Sequence, residues 1–185
     1  DYHVKVMFTA PTGFRAIKRE DPDGQLMAKY DLSSLKHLFL AGERCDVATL
    51  QWAQMLLKIP IIDHWWQTES GWPMLTTPMD NGLFHAVKPG SAGRSVPGFQ
   101  VHILDKDANI LGQGEEGAVG IKLPMPPGCL PTLWGAPERF KEGYLESYPG
   151  YYFTGDGGYQ DEEGYTFITG RIDDVINVRS EERRV

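Results

Sequence analysis

Cysteine is scarce in this chain: Cys45 and Cys129 are the only two among 185 residues. Two cysteines cannot build a disulfide framework, and their spacing matches no metal or redox motif. Reduced thiols in a cytoplasmic or mitochondrial-matrix compartment are therefore expected. Basic residues are also in deficit, with 18 Lys and Arg against 25 Asp and Glu, a formal charge of −7. A nucleic-acid surface needs a basic face, so nucleic acid is excluded as a general partner, although a local phosphate pocket is not. No apolar run approaches membrane-spanning length and no signal-peptide pattern is present, so no membrane partner is expected. Internal repeats and low-complexity tracts are absent. So are the GxxxxGK[ST] pattern and any Ser/Thr/Gly-rich phosphate loop carrying a Lys. The sequence begins Asp1-Tyr2-His3 without an initiator Met, which suits an excised fragment and equally a processed protein.

What is present reads as globular: 41% hydrophobic and 23% charged residues. Pro11 stands where a helix can begin, with Phe14, Ile17 and Lys18 at helical spacing after it. Leu35 to Ala41 is a short apolar run closed by Gly42, the pattern of a buried parallel strand. Asp46 can cap a helix running to about Lys58, with Leu50, Ala53 and Leu57 on its apolar face. Ile59 to Asp63 reads as the next buried strand, and strand, helix, strand is the βαβ signature. The expected fold class is therefore α/β, with residues 1–88 as the α/β part.

Pro and Gly become frequent from Pro89 onward. Val101 to Leu104 and Ala118 to Leu123 read as strands, with turn chemistry at Lys106 to Asn109 between them. A short helix is expected from Pro137 to about Leu145. Further strands are expected at Tyr151 to Thr154 and Tyr165 to Thr169, flanking a loop at Gly155-Asp156-Gly157-Gly158. Residues 89–170 are thus expected to form a β-rich, barrel-like subdomain beside the α/β part.

In open α/β sheets, ligands bind where strands end. Two such ends are polar here: Ala41-Gly42-Glu43, and Asp63-His64-Trp65-Trp66-Gln67-Thr68-Glu69. Adjacent tryptophans offer broad apolar walls. Thr68 offers a hydroxyl, Glu69 an oxygen for a hard cation such as Mg²⁺, and Gly42 a close approach to backbone. Each residue alone also has a plainer reading. A loop Glu is usually solvated, a Trp pair is more often core, and Thr68 or Ser70 can simply be a helix cap. Asp156 can be a turn residue, and Arg171 and Asp173 a surface ion pair worth little.

Taken as a run, Trp65-Trp66-Gln67-Thr68-Glu69-Ser70-Gly71 closely resembles the WWQTETG motif of the acetyl-CoA and propionyl-CoA synthetases in the adenylate-forming superfamily. Phe8-Thr9-Ala10-Pro11-Thr12 resembles the upstream TAPT element of that family. Tyr152-Phe153-Thr154-Gly155-Asp156 resembles its ribose-binding element, and Thr169-Gly170-Arg171-Ile172-Asp173-Asp174 its hinge. The resemblance extends over residues 1–178, with the four motifs in family order. It implies a large AMP-binding domain, present in part, with residues 171–185 as hinge and stub of a small C-terminal domain. It also implies a two-step reaction using ATP, Mg²⁺ and coenzyme A. A carboxylate attacks the α-phosphate, then the CoA thiol displaces AMP.

By the same resemblance, Gly42 and Glu43 lie beside the adenine, and Asp63, His64 and Trp65 line the nucleotide site. A Thr often stands at the place of His64 in acetate enzymes. Gln67 and Thr68 lie near the α-phosphate, with Thr68 and Glu69 catalytic and Glu69 associated with Mg²⁺. Asp156 holds the ribose hydroxyls, and Arg171 faces the ribose or phosphate. Asp173 is the hinge, and Ala10 lies beside the pantetheine arm of CoA. Trp66 forms the floor of the acyl pocket, leaving room for a short carboxylic acid. Ala41 replaces the Val of acetate-specific relatives; a methylene of extra room is worth about 1–3 kcal/mol of discrimination, which favours propionate over acetate. The family's phosphate loop and C-terminal catalytic Lys have no counterpart in the chain, and Glu182 stands at the place of a phosphate-approaching Arg. The expectation is a fragment, inactive alone, whose partner is the remainder of a parent enzyme. The alternatives are a non-catalytic binding module of the same fold, or an adenylate-forming enzyme with an acceptor other than CoA.

Overall fold

Strands and helices alternate through the first 63 residues as β1 (Val6–Thr9), α1 (Pro11–Glu20), β2 (His37–Leu40), α2 (Val47–Leu57) and β3 (Ile61–Asp63). The structure is a computed structural model and describes residues 2–80, 83–84 and 86–172. The three strands form one parallel sheet in the order β1-β2-β3, with Val6 opposite His37 and Leu38 opposite Ile61. The parallel βαβ arrangement expected from the sequence is thus present.

Local chemistry sets these elements. Pro11 occupies the first turn of α1, where its missing N–H costs no helical bond. Asp46 caps α2 by accepting the Thr49 N–H at 2.8 Å, and Lys58 ends it in the left-handed region at φ 53°. Phe14 of α1, Leu38 and Leu40 of β2, Leu50 and Ala53 of α2, and Ile61 of β3 share one buried cluster. Trp52 joins them, packed edge-on to Phe14 and donating its indole N–H to the Pro22 carbonyl at 2.6 Å. The strand expected over Leu35 to Ala41 is shorter than the apolar run. The strand β1, not anticipated, is an edge whose Val6, Met7 and Phe8 are exposed.

The rest is antiparallel. A ribbon pairs β4 (Leu75–Thr76) with β7 (Arg94–Ser95), and a second pairs β5 (Met79–Asp80) with β6 (Leu83–Phe84). A four-stranded sheet comes next in the order β11-β10-β9-β8, from β8 (Val101–Leu104), β9 (Gly117–Lys122), β10 (Tyr151–Gln160) and β11 (Thr166–Arg171). Helix α3 (Pro137–Tyr144) lies beside β10. A bridge between Gly93 and Thr166 ties the β4–β7 ribbon to this sheet. Its core is a separate cluster around Met74, Leu75, Phe99, Val101, Ile103, Val119, Ile121 and Tyr152.

One expectation is overturned here. Gly155 to Gly158 is not a loop between two strands but the middle of β10, which runs unbroken across it. The pairing with β9 shifts register between Phe153 and Gly157, and the pairing with β11 between Gly157 and Gly158. A Cβ at Gly158 would meet the Phe167 carbonyl oxygen at 2.5 Å, so only glycine lets β11 close against the strand there. The expected hinge Asp173 and the tail from Arg179 to Val185 lie outside the described residues.

Candidate functional site

The C-terminal ends of β2 and β3 face the bulged stretch of β10 and the end of β11 across a cleft of about 360 Å³. Gly42, Glu43, Asp63, His64, Trp65, Trp66, Gln67, Asp156 and Arg171 all line it. Nine of the residues singled out from the sequence therefore share one wall-to-wall space, drawn from segments more than a hundred residues apart. Arg44, Gly90, Ala92, Ile168, Thr169 and Gly170 complete the lining.

The β10 bulge is built by Thr154. Its hydroxyl donates to the Val119 carbonyl at 2.7 Å and accepts the Asp156 N–H at 3.1 Å. These side-chain bonds lie where the β9–β10 register shifts, and a bulge of this kind re-aims the side chain beyond it. Asp156, 7% exposed, lines the cleft as a result.

Gln67 fixes Asp156 from the opposite wall. Its amide N–H₂ donates to the Thr154 carbonyl at 2.7 Å and to Asp156 Oδ2 at 2.8 Å, while its carbonyl accepts the Tyr152 hydroxyl at 3.0 Å. Both donors and the acceptor are thus engaged within the protein. Gln67, expected near a phosphate, braces the Asp156 strand with its side chain. Burial, ahead of the nearby Glu69 charge, holds the Tyr152 phenol well above its ordinary pKa.

Arg171 lies across the same strand, donating to the Thr154 carbonyl at 3.1 Å with its guanidinium 3.9 Å from Asp156. Gly155, at φ 75°, makes room for it: a Cβ there would stand 2.6 Å from Arg171 Nη2.

On the β2 side, Glu43 accepts the Thr12 N–H at 2.8 Å and the Thr12 hydroxyl, and pairs with Arg15 at 2.6 Å. The Thr12 hydroxyl, with Arg15 behind it, holds the Glu43 carboxyl below its usual range. Beside it Gly42, at φ 97°, leaves open space where a side chain would project. Asp63 is buried, and burial pushes its carboxyl up to about 7 against weaker support from the Cys45 and His64 N–H groups. Burial lowers the pKa of His64, whose ring packs 5.6 Å from Phe8 and 5.5 Å from Phe39.

Four expected residues stand apart from the cleft lining. Ala41, next to Gly42 in sequence, is buried, and Ala10 is exposed at the N-cap of α1. Thr68 is exposed, and Glu69 is half-buried with Oε1 accepting the Tyr144 hydroxyl at 3.1 Å. Among the described residues no group of three His, Cys, Asp or Glu could hold a metal. Glu69 offers a single carboxylate, and an all-protein cage is not formed among the described residues. Sequence reading missed Tyr144, and it named Tyr152 and Thr154 only within a motif, without the contacts that distant segments give them.

Comparison with known proteins shows what the chain as a whole is similar to. The family model described as AMP-binding enzyme matches residues 1–126. An uncharacterized protein of Pseudomonas aeruginosa is 51% identical over 178 residues, 96% of this chain and 28% of its own length. The human acyl-CoA synthetase short-chain family member 3, mitochondrial, is 48% identical over 178 residues, 96% of this chain and 26% of its own length. The propionate–CoA ligase of Escherichia coli is 43% identical over 181 residues, 96% of this chain and 28% of its own length. The chain spans about a quarter of the length of the curated relatives it matches.

Proposed function

The chain belongs to the AMP-binding enzyme family, and from that premise we propose that it is part of an AMP-forming short-chain acyl-CoA synthetase. The observation that carries this reading is the single cleft shared by Gly42, Glu43, the run Asp63 to Gln67, Asp156 and Arg171. It is supported by similarity to relatives named as short-chain acyl-CoA synthetase and propionate–CoA ligase.

In this reading the adenine enters beside Gly42 and Glu43, between the backbone and the indole of Trp65. The ribose hydroxyls donate to Asp156, a carboxylate already fixed by Gln67. Arg171 supplies positive charge on the path from ribose to phosphates. Trp66, 39% exposed, floors a pocket for a short acid, and Ala41 is its smaller wall. Ala10 lies toward the CoA arm. Glu69, with Thr68 beside it, would hold Mg²⁺ together with the phosphates, where the ion would neutralise charge at phosphorus. The substrate carboxylate attacks the α-phosphorus, forming the acyl-adenylate and releasing pyrophosphate. The CoA thiol then attacks the acyl carbonyl and AMP leaves. The chain's contribution is positioning of reactants and preorganised charge.

The acid is propionate, with acetate next. No phosphate loop or counterpart of the family Lys occurs within these 185 residues, so this chain alone is inactive and acts with the remainder of a longer enzyme. That enzyme works in the cytoplasm, or in the mitochondrial matrix of a eukaryote. Among the described residues no helix is long and apolar enough to cross a membrane.

The test is ATP–pyrophosphate exchange with acetate, propionate and butyrate, on the full-length protein that contains this chain and on the 185 residues alone. Exchange fastest with propionate in the long protein and none in the short one is expected. Exchange with no acid sinks the enzymatic reading, and preference for acetate overturns the substrate.

A further inference from the structure

A second cleft of about 400 Å³ adjoins the first at Arg171, which lines both. Its other walls come from α3, through Arg139, Gly143 and Tyr144, and from β10, through Phe153, Thr154 and Gly155. Among the described residues no Asp or Glu lines it. Two guanidinium groups therefore border one space with no carboxylate in that lining. The nearest acid in sequence, Glu138, pairs with Lys141 at 2.8 Å. Arg139 is exposed; at the Tyr144 hydroxyl, burial and the Glu69 carboxylate raise the pKa, and Arg139 and Arg171 oppose them more weakly.

We propose that this second cleft is an anion subsite for a phosphoanhydride, gripped by Arg139 and Arg171. Guanidinium groups suit such a ligand because their planar donor pairs match phosphate oxygens and their charge persists at any working pH. The subsite's place fits a phosphate chain that leaves the first cleft. Asp156 holds the ribose end there, Arg171 forms the shared border, and Tyr144 on the far wall is hydrogen-bonded to Glu69. A chain of phosphates passing Arg171 thus meets Arg139 within the second cleft. The tyrosine wall is rigid: the rings of Tyr144 and Tyr152 stack at 5.4 Å and 8°, and Tyr152 is anchored to Gln67. The phosphoanhydride is that of ATP or pyrophosphate, or else that of coenzyme A. The inference rests on the nucleotide reading of the first cleft and adds Arg139 to it.

Arg139→Ala and Arg139→Lys in the full-length protein test the subsite, because Arg139 is exposed on α3 and supports no core packing. Arg139→Ala is expected to raise the KM for pyrophosphate and ATP in exchange about tenfold, with the KM for the carboxylic acid unchanged and partial recovery in Arg139→Lys. A rise confined to the KM for CoA in thioester formation assigns the subsite to the CoA phosphoanhydride instead. Unchanged KM values for pyrophosphate, ATP and CoA overturn the proposal. Calorimetric titration of pyrophosphate into wild type and Arg139→Ala separates this from the broader reading. Weaker binding in the variant upholds the subsite even in a protein without exchange activity, and equal binding sinks it.

Discussion

Gln67 and Asp156, 89 residues apart in sequence, are joined by a 2.8 Å hydrogen bond that closes the cleft from wall to wall. The same amide accepts from Tyr152, which is 2% exposed. Gln67→Ala leaves a buried hydroxyl without a partner, at a cost of roughly 1–3 kcal/mol. Pairing it with Tyr152→Phe removes that orphan, so the double variant should be more stable than the two single losses predict. Chemical denaturation of the four proteins in the cycle measures this coupling, and strict additivity contradicts it.

Asp63 gives the protein a pH signature. Its carboxyl is pushed up to about 7 by burial, above its value in the unfolded chain. Between about pH 4 and 7 the folded state then holds a proton that the unfolded state has released. Stability on this account falls as pH rises through that window and levels off above it. Asp63→Asn keeps the shape and removes the titration. Its urea midpoint should depend less on pH between about 4.5 and 7.5 than that of wild type; equal slopes would show that Asp63 ionises freely.

Gly155→Ala tests how Arg171 is seated. A side chain at φ 75° costs roughly 1–2 kcal/mol, and its Cβ occupies the space of the guanidinium. The variant should match Arg171→Ala in its loss of nucleotide affinity, measured by AMP titration. Full affinity in Gly155→Ala would mean that Arg171 works from another position.

Trp66→Gly in the full-length protein should shift acid preference toward longer chains, since the indole is the floor in the proposed pocket. Rates with acids from acetate to hexanoate read this out. An unchanged profile removes Trp66 from the pocket.

Much of the first half was legible because its signals are local. Pro11 at a helix start, Asp46 capping α2, and an apolar run closed by Gly42 each act within a few residues. The site was legible as a list of residues through an ordered resemblance, and nine of those residues do share one cleft. The arrangement within the cleft was not legible. Gly155 to Gly158 looked like a loop by composition, yet it is strand, and Gly158 is glycine because the Phe167 carbonyl approaches too closely for a side chain. The engagement of Gln67 by Tyr152, Thr154 and Asp156 depends on pairing across the sheet, which no spacing in the sequence encodes. The same holds for the grip of Thr12 and Arg15 on Glu43.

The two buried clusters do not merge, and the cleft lies where residues supported by one meet residues supported by the other. A nucleotide seated there would act as a strut, its affinity set partly by the spacing of the two clusters. Substitutions deep in either core, such as Leu50 or Val119, should then register as changes in ligand affinity before any residue that touches the ligand is altered.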